Sequence, residues 1–212
     1  MNILQRYRPA GLGFGTRLFL DARFRLTPYS KMASQLPNEG RILDLGCGHG
    51  LLSLTLALAE PKRDVIGIDH DSERVRLAQV AAEGVSNLHF ERGSLLAPPP
   101  GPWHGIAAID VFHYFEPRVQ NTILGHLRET LGPDGVFIMR EVDPEGGVAA
   151  VWNRAYETIA TRTGFTQTKQ AGLHFRTPSE WSRQLEKSGF NVSAERCSSP
   201  LFADILYVCR PR

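Results

Sequence analysis

Cysteine is scarce in this chain of 212 residues: only Cys47, Cys197 and Cys209 are present. Three is an odd number, and the spacings match no zinc pattern, which argues against both a disulfide framework and a structural metal and fits a reducing, cytoplasmic setting. Long apolar runs are missing as well. No stretch reaches the ~20 residues that cross a bilayer, and no apolar run follows Arg6 and Arg8, so a soluble, unexported protein is expected. The seven histidines show no paired i, i+4 spacing, and no metal site is expected. Nor does one sign of charge dominate, since 24 basic residues against 22 acidic ones leave a net charge of +2, too mild to demand nucleic acid. The basic residues are unevenly spread, however. Arg6, Arg8, Arg17, Arg23, Arg25 and Lys31 crowd the front of the chain against Asp21 alone, so that segment could face an acidic partner.

What is present is an alternation. With 42% apolar residues the chain can bury one core, and a single domain is expected. Strand-length apolar runs at 41–45, 64–69, 87–91, 105–110 and 135–141 are separated by helical patterns at 51–60, 71–84 and 117–135. That order predicts crossovers and a mostly parallel, doubly wound α/β sheet with helices on both faces. Asp71 or Ser72 should cap the second helix and Gly84 should end it. Beyond residue 146 the pattern predicts a helix at 147–164 and another over 177–189, capped by Thr177 with Pro178 in its first turn. Two strands at 190–197 and 203–210, joined by a turn through Pro200, close the sheet with an antiparallel hairpin and bring the count to seven. The segment 1–36 reads as one or two helices forming a lid outside a catalytic domain of residues 37–212.

The sequence ILDLGCGHGLL at 42–52 places Gly46, Gly48 and Gly50 where a strand opens into a helix. Three glycines in five positions weaken a fold unless something needs that backbone. Their G-x-G-x-G spacing is tighter than the G-x-G-x-x-G that seats a pyrophosphate. A second strand ends at Asp69, whose carboxylate can accept both hydroxyls of a ribose when its tip lies beside the loop. Together these features predict a nucleoside cofactor.

Here the chain resembles the class I S-adenosylmethionine-dependent methyltransferases, small-molecule type. LDLGCGHG is similar to their first motif and VIGIDHDSERVRLA to their second; NLHFERGSL, GIAAIDVFHYF and LGPDGVFIMREVD follow in the family's order. The resemblance implies a Rossmann-like fold, S-adenosylmethionine as cofactor and S-adenosylhomocysteine as product. It implies that Asp44, Gly46, Gly48 and Gly50 hold the methionine part, that Asp69 takes the ribose hydroxyls and that His70 lies against the adenine. Cys47 fills the loop as part of the same site and has no base that would make it a nucleophile. Where the family carries an acid for the adenine amino group this chain has Ser94, whose hydroxyl or the Leu95 backbone would serve. Asp110 would line the cofactor's amino group.

The chemistry should sit at the carboxyl edge of the sheet. Methyl transfer mainly needs alignment of the acceptor, and a base only for an acceptor such as a phenol, which is neutral at pH 7. His113 is the candidate base, Tyr114 could orient an acceptor oxygen, and Glu141 is the best candidate of the cluster formed with Arg140 and Asp143. Tyr29 on the lid, His174 and Arg176 are the candidate acceptor contacts, Arg176 through its planar fork toward a carboxylate or phosphate. The resulting expectation is methyl transfer to a small acceptor, at an oxygen of an aryl or acyl compound that a carrier protein could hold. The rival readings are a nicotinamide-dependent oxidoreductase, a cofactor-binding protein without turnover and, since no basic stripe with interleaved aromatics is evident, less well an RNA methyltransferase.

Overall fold

The computed structural model describes residues 3–146, 172–197 and 203–212. Five strands of the first two thirds, β1 (Gly40–Leu45), β2 (Arg63–Asp69), β3 (Leu88–Arg92), β4 (Trp103–Ile109) and β5 (Leu131–Val142), pair in parallel. Two more, β6 (Phe190–Arg196) and β7 (Asp204–Pro211), complete one sheet of order β3-β2-β1-β4-β5-β7-β6, with β7 antiparallel to both neighbours. The strand order reverses between β1 and β4, and in an open parallel sheet such a reversal leaves a crevice at the carboxyl ends of the strands.

Side chains alternate across β1: Ile42 joins the apolar cluster on one face and Leu43 the cluster on the other. The first cluster is covered by α3 (Leu51–Ala59), α4 (Ser72–Ala82) and the front segment, which supplies Leu20 and Met32. The second is covered by α5 (Pro117–Thr130) and α6 (Pro178–Lys187) around Trp103, Phe112, Trp181 and Phe190. The caps are chemical. The Asp71 side chain accepts from the Glu73 and Arg74 amides at the start of α4, and Thr177 and Glu180 form a reciprocal box at the start of α6. α5 stops at Thr130, five residues short of expectation. Pro133 cannot continue a helix, and Leu131 instead pairs with Trp103 as the first residue of β5.

The front segment consists of a 3-10 turn (Ile3–Ala10), α1 (Phe14–Leu26) and a short α2 (Tyr29–Ala33). Arg63, buried at the start of β2, pins the end of this segment: its guanidinium donates to the carbonyls of Ala33, Leu36, Pro37 and Leu56 at 2.7–3.2 Å. The helix expected at 147–164 and the turn through Pro200 fall outside the described residues.

Candidate functional site

The glycine loop is built against β2. The amides of Gly46 and Cys47 both donate to the Ile68 carbonyl at 2.8 and 3.0 Å, and the Gly48 amide donates to Asp69 Oδ2 at 2.9 Å. The two strand tips that the sequence singled out are therefore in direct contact. Gly46 has φ +69°, and a Cβ there would run into Val111, so any side chain at that position is strained and must displace Val111. At Gly48, φ is +55° and a Cβ would meet nothing, because the residue faces open space.

That space is a cavity of about 320 Å³. Its floor is the loop, with Asp44, Gly46, Cys47, Gly48 and His49; one side is Asp69, His70, Arg74, Ser94 and Leu95. The other side is Asp110, Ile109, Val111, Tyr114 and Phe115, and α1 and α2 reach over with Phe19, Arg23 and Tyr29. Three carboxylates against two guanidiniums leave the wall one negative charge in excess, a match for a ligand with a sulfonium and an ammonium against one carboxylate. Small-molecule sites commonly span ~300–1,000 Å³. The carboxylates and the cradle at Gly48 thus fit an adenosyl sulfonium.

Burial sets the protonation states. Loss of solvent raises the Asp44 carboxyl to about 6, against the bond it accepts from Ser53 Oγ at 2.5 Å. It pushes the Cys47 thiol well up, so the thiol is neutral and not a nucleophile. It lowers His49 to about 4, helped by the positive charges of Arg74 and Arg23. The Tyr29 phenol is also raised by burial. Asp110 adopts φ +57°, unusual outside glycine, and is held there by Arg140 Nε on Oδ1 at 3.0 Å and Arg23 Nη2 on Oδ2 at 2.9 Å. Arg140 in turn pairs with Asp204 at 3.1 Å. The Arg23 contact ties α1 to the tip of β4, and a second tie runs from Tyr7 Oη to the His49 carbonyl at 2.6 Å.

Five expected residues are not on the cavity wall. Gly50 lies below it, where a Cβ would strike the Phe90 ring and Ala78, so its φ of +82° serves the packing of α3. His113 and Glu141, expected to be catalytic, are fully buried against each other: Glu141 Oε2 meets His113 Nδ1 at 2.7 Å, while Oε1 accepts the Val111 and Phe112 amides. The His113 ring stacks on Phe175. The pair braces the turn at 111–115 and is absent from the residues that line the cavity. Arg176, expected to bind an acceptor, instead donates to Gln120 Oε1, Asn121 Oδ1 and the Pro117 carbonyl, which locks the chain before α6 to α5. His174 is held in the same lock through its backbone, donating to the His113 carbonyl and accepting from Gln120. Phe19 and Phe115 belong to the expected lid helix and to the segment after the fourth strand, and His49 to the glycine loop, so those three carried a signal; Arg23 and Arg74 were not anticipated as wall residues.

Known proteins share stretches of this sequence and its fold. The release factor glutamine methyltransferase of Aliivibrio fischeri is 39% identical over 64 residues, covering 29% of this chain and 22% of that one. The malonyl-[acyl-carrier protein] O-methyltransferase of Halalkalibacterium halodurans is 22% identical over 150 residues, covering 68% of this chain and 54% of that one. The chain thus spans about half or less of the length of these relatives. An O-methyltransferase of neocarzinostatin biosynthesis, solved with S-adenosylmethionine and 2-hydroxy-5-methyl naphthoic acid, superposes with a TM-score of 0.65 at 19% identity over 87% of this chain and 53% of that one. Residues 17–195 match the family described as a methyltransferase domain, and the chain belongs to that family.

Proposed function

We propose that the protein transfers a methyl group from S-adenosylmethionine to an oxygen of a small aryl or acyl acceptor. The observation that carries the reading is the contact of Gly48 with Asp69 beneath a cavity whose far side sets Phe19, Tyr29, Tyr114, Phe115, Ile109 and Val111 around the Arg23–Asp110 ion pair. When bound, the cofactor supplies a methyl group already activated by its sulfonium, so the chain's task is alignment, which can contribute ~7–11 kcal/mol in well-oriented reactions. Asp69 accepts the ribose hydroxyls, Asp44 receives the ammonium of the methionine end, the close approach at Gly46 and Gly48 leaves room for the ligand, His70 and the Ser94–Leu95 turn flank the adenine, and residues 1–36 act as the lid. Tyr114 orients the acceptor oxygen. His113 and Glu141 act behind it as positioning residues that hold the turn carrying Tyr114.

An aryl acceptor agrees with the hydroxynaphthoic acid in the structural relative, and an acyl group on a carrier protein agrees with the printed name of the Halalkalibacterium enzyme. The experiment is turnover to S-adenosylhomocysteine with phenols, aryl acids, fatty acids and amines offered in parallel. Methylation of an oxygen acceptor is expected; turnover with amines alone, or preferential binding of a nicotinamide dinucleotide, would overturn the reading.

A further inference from the structure

The helix that covers the cavity also has an outer face. α1 carries Phe19 and Arg23 to the cavity above the glycine loop, while Phe14 and Leu18, one turn apart on the same helix, are 84% and 59% exposed. Large apolar side chains left side by side in water mark a contact surface when they adjoin further apolar area. Here they do. Both border a groove of about 380 Å³ between the 3-10 turn and α1, with Leu4, Tyr7, Leu12 and Leu20 on its floor. Arg8 and Arg17 line the same groove; both are exposed, and neither enters an ion pair among the described residues.

Charge and side-chain supply decide what covers it. The acids in and beside the groove are engaged: Asp21 pairs with Arg25 at 3.1 Å, Glu73 with Arg76 at 2.7 Å, and Asp71 caps α4 with Arg74 at 3.7 Å. The groove therefore keeps the two positive charges of Arg8 and Arg17. A second copy of the chain would set two more arginines against these two, which like-charge repulsion disfavours. A stable protein partner commonly covers ~800 Å² on each side, yet the positions around Phe14 are the exposed glycines Gly11, Gly13 and Gly15, with no side chain to offer. An anionic bilayer needs less. A few apolar side chains enter the boundary between head groups and acyl chains, and the bases beside them meet lipid phosphates. Among the described residues no helix is long and apolar enough to cross a membrane, so the contact is peripheral.

We propose that this face of α1 docks on an anionic membrane surface, with Phe14 and Leu18 in the acyl boundary and Arg8 and Arg17 on lipid phosphates. The proposal is independent of methyl transfer. It is tested by co-sedimentation of the full chain with vesicles of phosphatidylcholine alone and with equimolar phosphatidylcholine and phosphatidylglycerol, at low and at high salt. The parent is expected to bind the anionic vesicles about tenfold or more tightly than the neutral ones, with the difference shrinking as salt screens the charges. Arg8→Gln combined with Arg17→Gln should weaken that binding about 30-fold, each base near the surface contributing about fivefold. Phe14→Ser combined with Leu18→Ser should weaken it about tenfold or more. All four side chains are exposed, and thermal melts verify that the variants fold. Equal affinity for the two kinds of vesicle, binding to neither, or undiminished binding by either double variant overturns the proposal. In the absence of vesicle binding, self-association that the serine pair abolishes gives this face to a second copy, and binding of a soluble glutamate-rich amphipathic peptide gives it to an acidic protein.

Discussion

Gly46 and Gly48 share a left-handed backbone, yet one added methyl group means different things at the two positions. At Gly46 it collides with Val111, so Gly46→Ala should lose ~2–4 kcal/mol from backbone strain and overpacking together. At Gly48 it projects into the cavity, so Gly48→Ala should cost the fold only ~1–2 kcal/mol while weakening S-adenosylmethionine binding. Melting curves and calorimetry on both variants check the contrast. Asp44 gives a pH dependence. Its carboxyl is raised to about 6 in the fold, whereas an unfolded aspartate titrates near ~4, so between those values the folded chain holds a proton that the unfolded chain does not. Its contribution to stability therefore falls as pH rises through that window, and the cost of the buried charge is complete above it. Asp44→Asn should melt higher than the parent at neutral pH, and the difference should vanish at about pH 4. If the carboxylate receives the cationic end of the cofactor, affinity should drop about tenfold per unit below pH 6 in the parent alone.

The turn at 111–115 shows how an element can be readable while its direction is not. The order of strand and turn was evident from the apolar runs, and so was the polar cluster that ends β5. Whether Glu141 points into the cavity or behind it was not evident, because β5 is buried on both faces from Val136 to Val142 and a doubly covered strand lacks the alternation that assigns a side. The contacts of Arg176 were not readable for a related reason: its partners Gln120 and Asn121 lie 55 or more residues away in sequence, on α5. The brace makes a prediction of its own. Glu141→Ala leaves the Val111 and Phe112 amides and His113 Nδ1 without their carboxylate, which should cost ~3–5 kcal/mol. Glu141→Gln, which keeps an oxygen for the two amides, should lose less. Chemical denaturation of the two variants measures the difference.

At the scale of the whole molecule the topology was the most legible feature, because strands separated by helix-length crossovers have few ways to pair. The loop and its acid were legible because a glycine run and an aspartate at neighbouring strand tips have a chemical purpose as well as a structural one. The arginines of the wall were not, since Arg23 and Arg74 reach the cavity from elements whose docking no local pattern records. Ligand linkage extends to global stability: S-adenosylhomocysteine at ~100 times its dissociation constant adds ~2.7 kcal/mol. For a chain of this size that should raise the melting temperature by about 5–10 °C, with no shift from a nicotinamide dinucleotide. The ties of the front segment carry a kinetic consequence. Tyr7 grips the backbone of the glycine loop and Arg23 grips the opposite rim, so if residues 1–36 act as the proposed lid, a spent cofactor leaves only when both let go. Rapid mixing should then show one fast methylation per molecule followed by a slow steady rhythm set by departure, and Tyr7→Phe should quicken that rhythm while leaving the first event's speed intact.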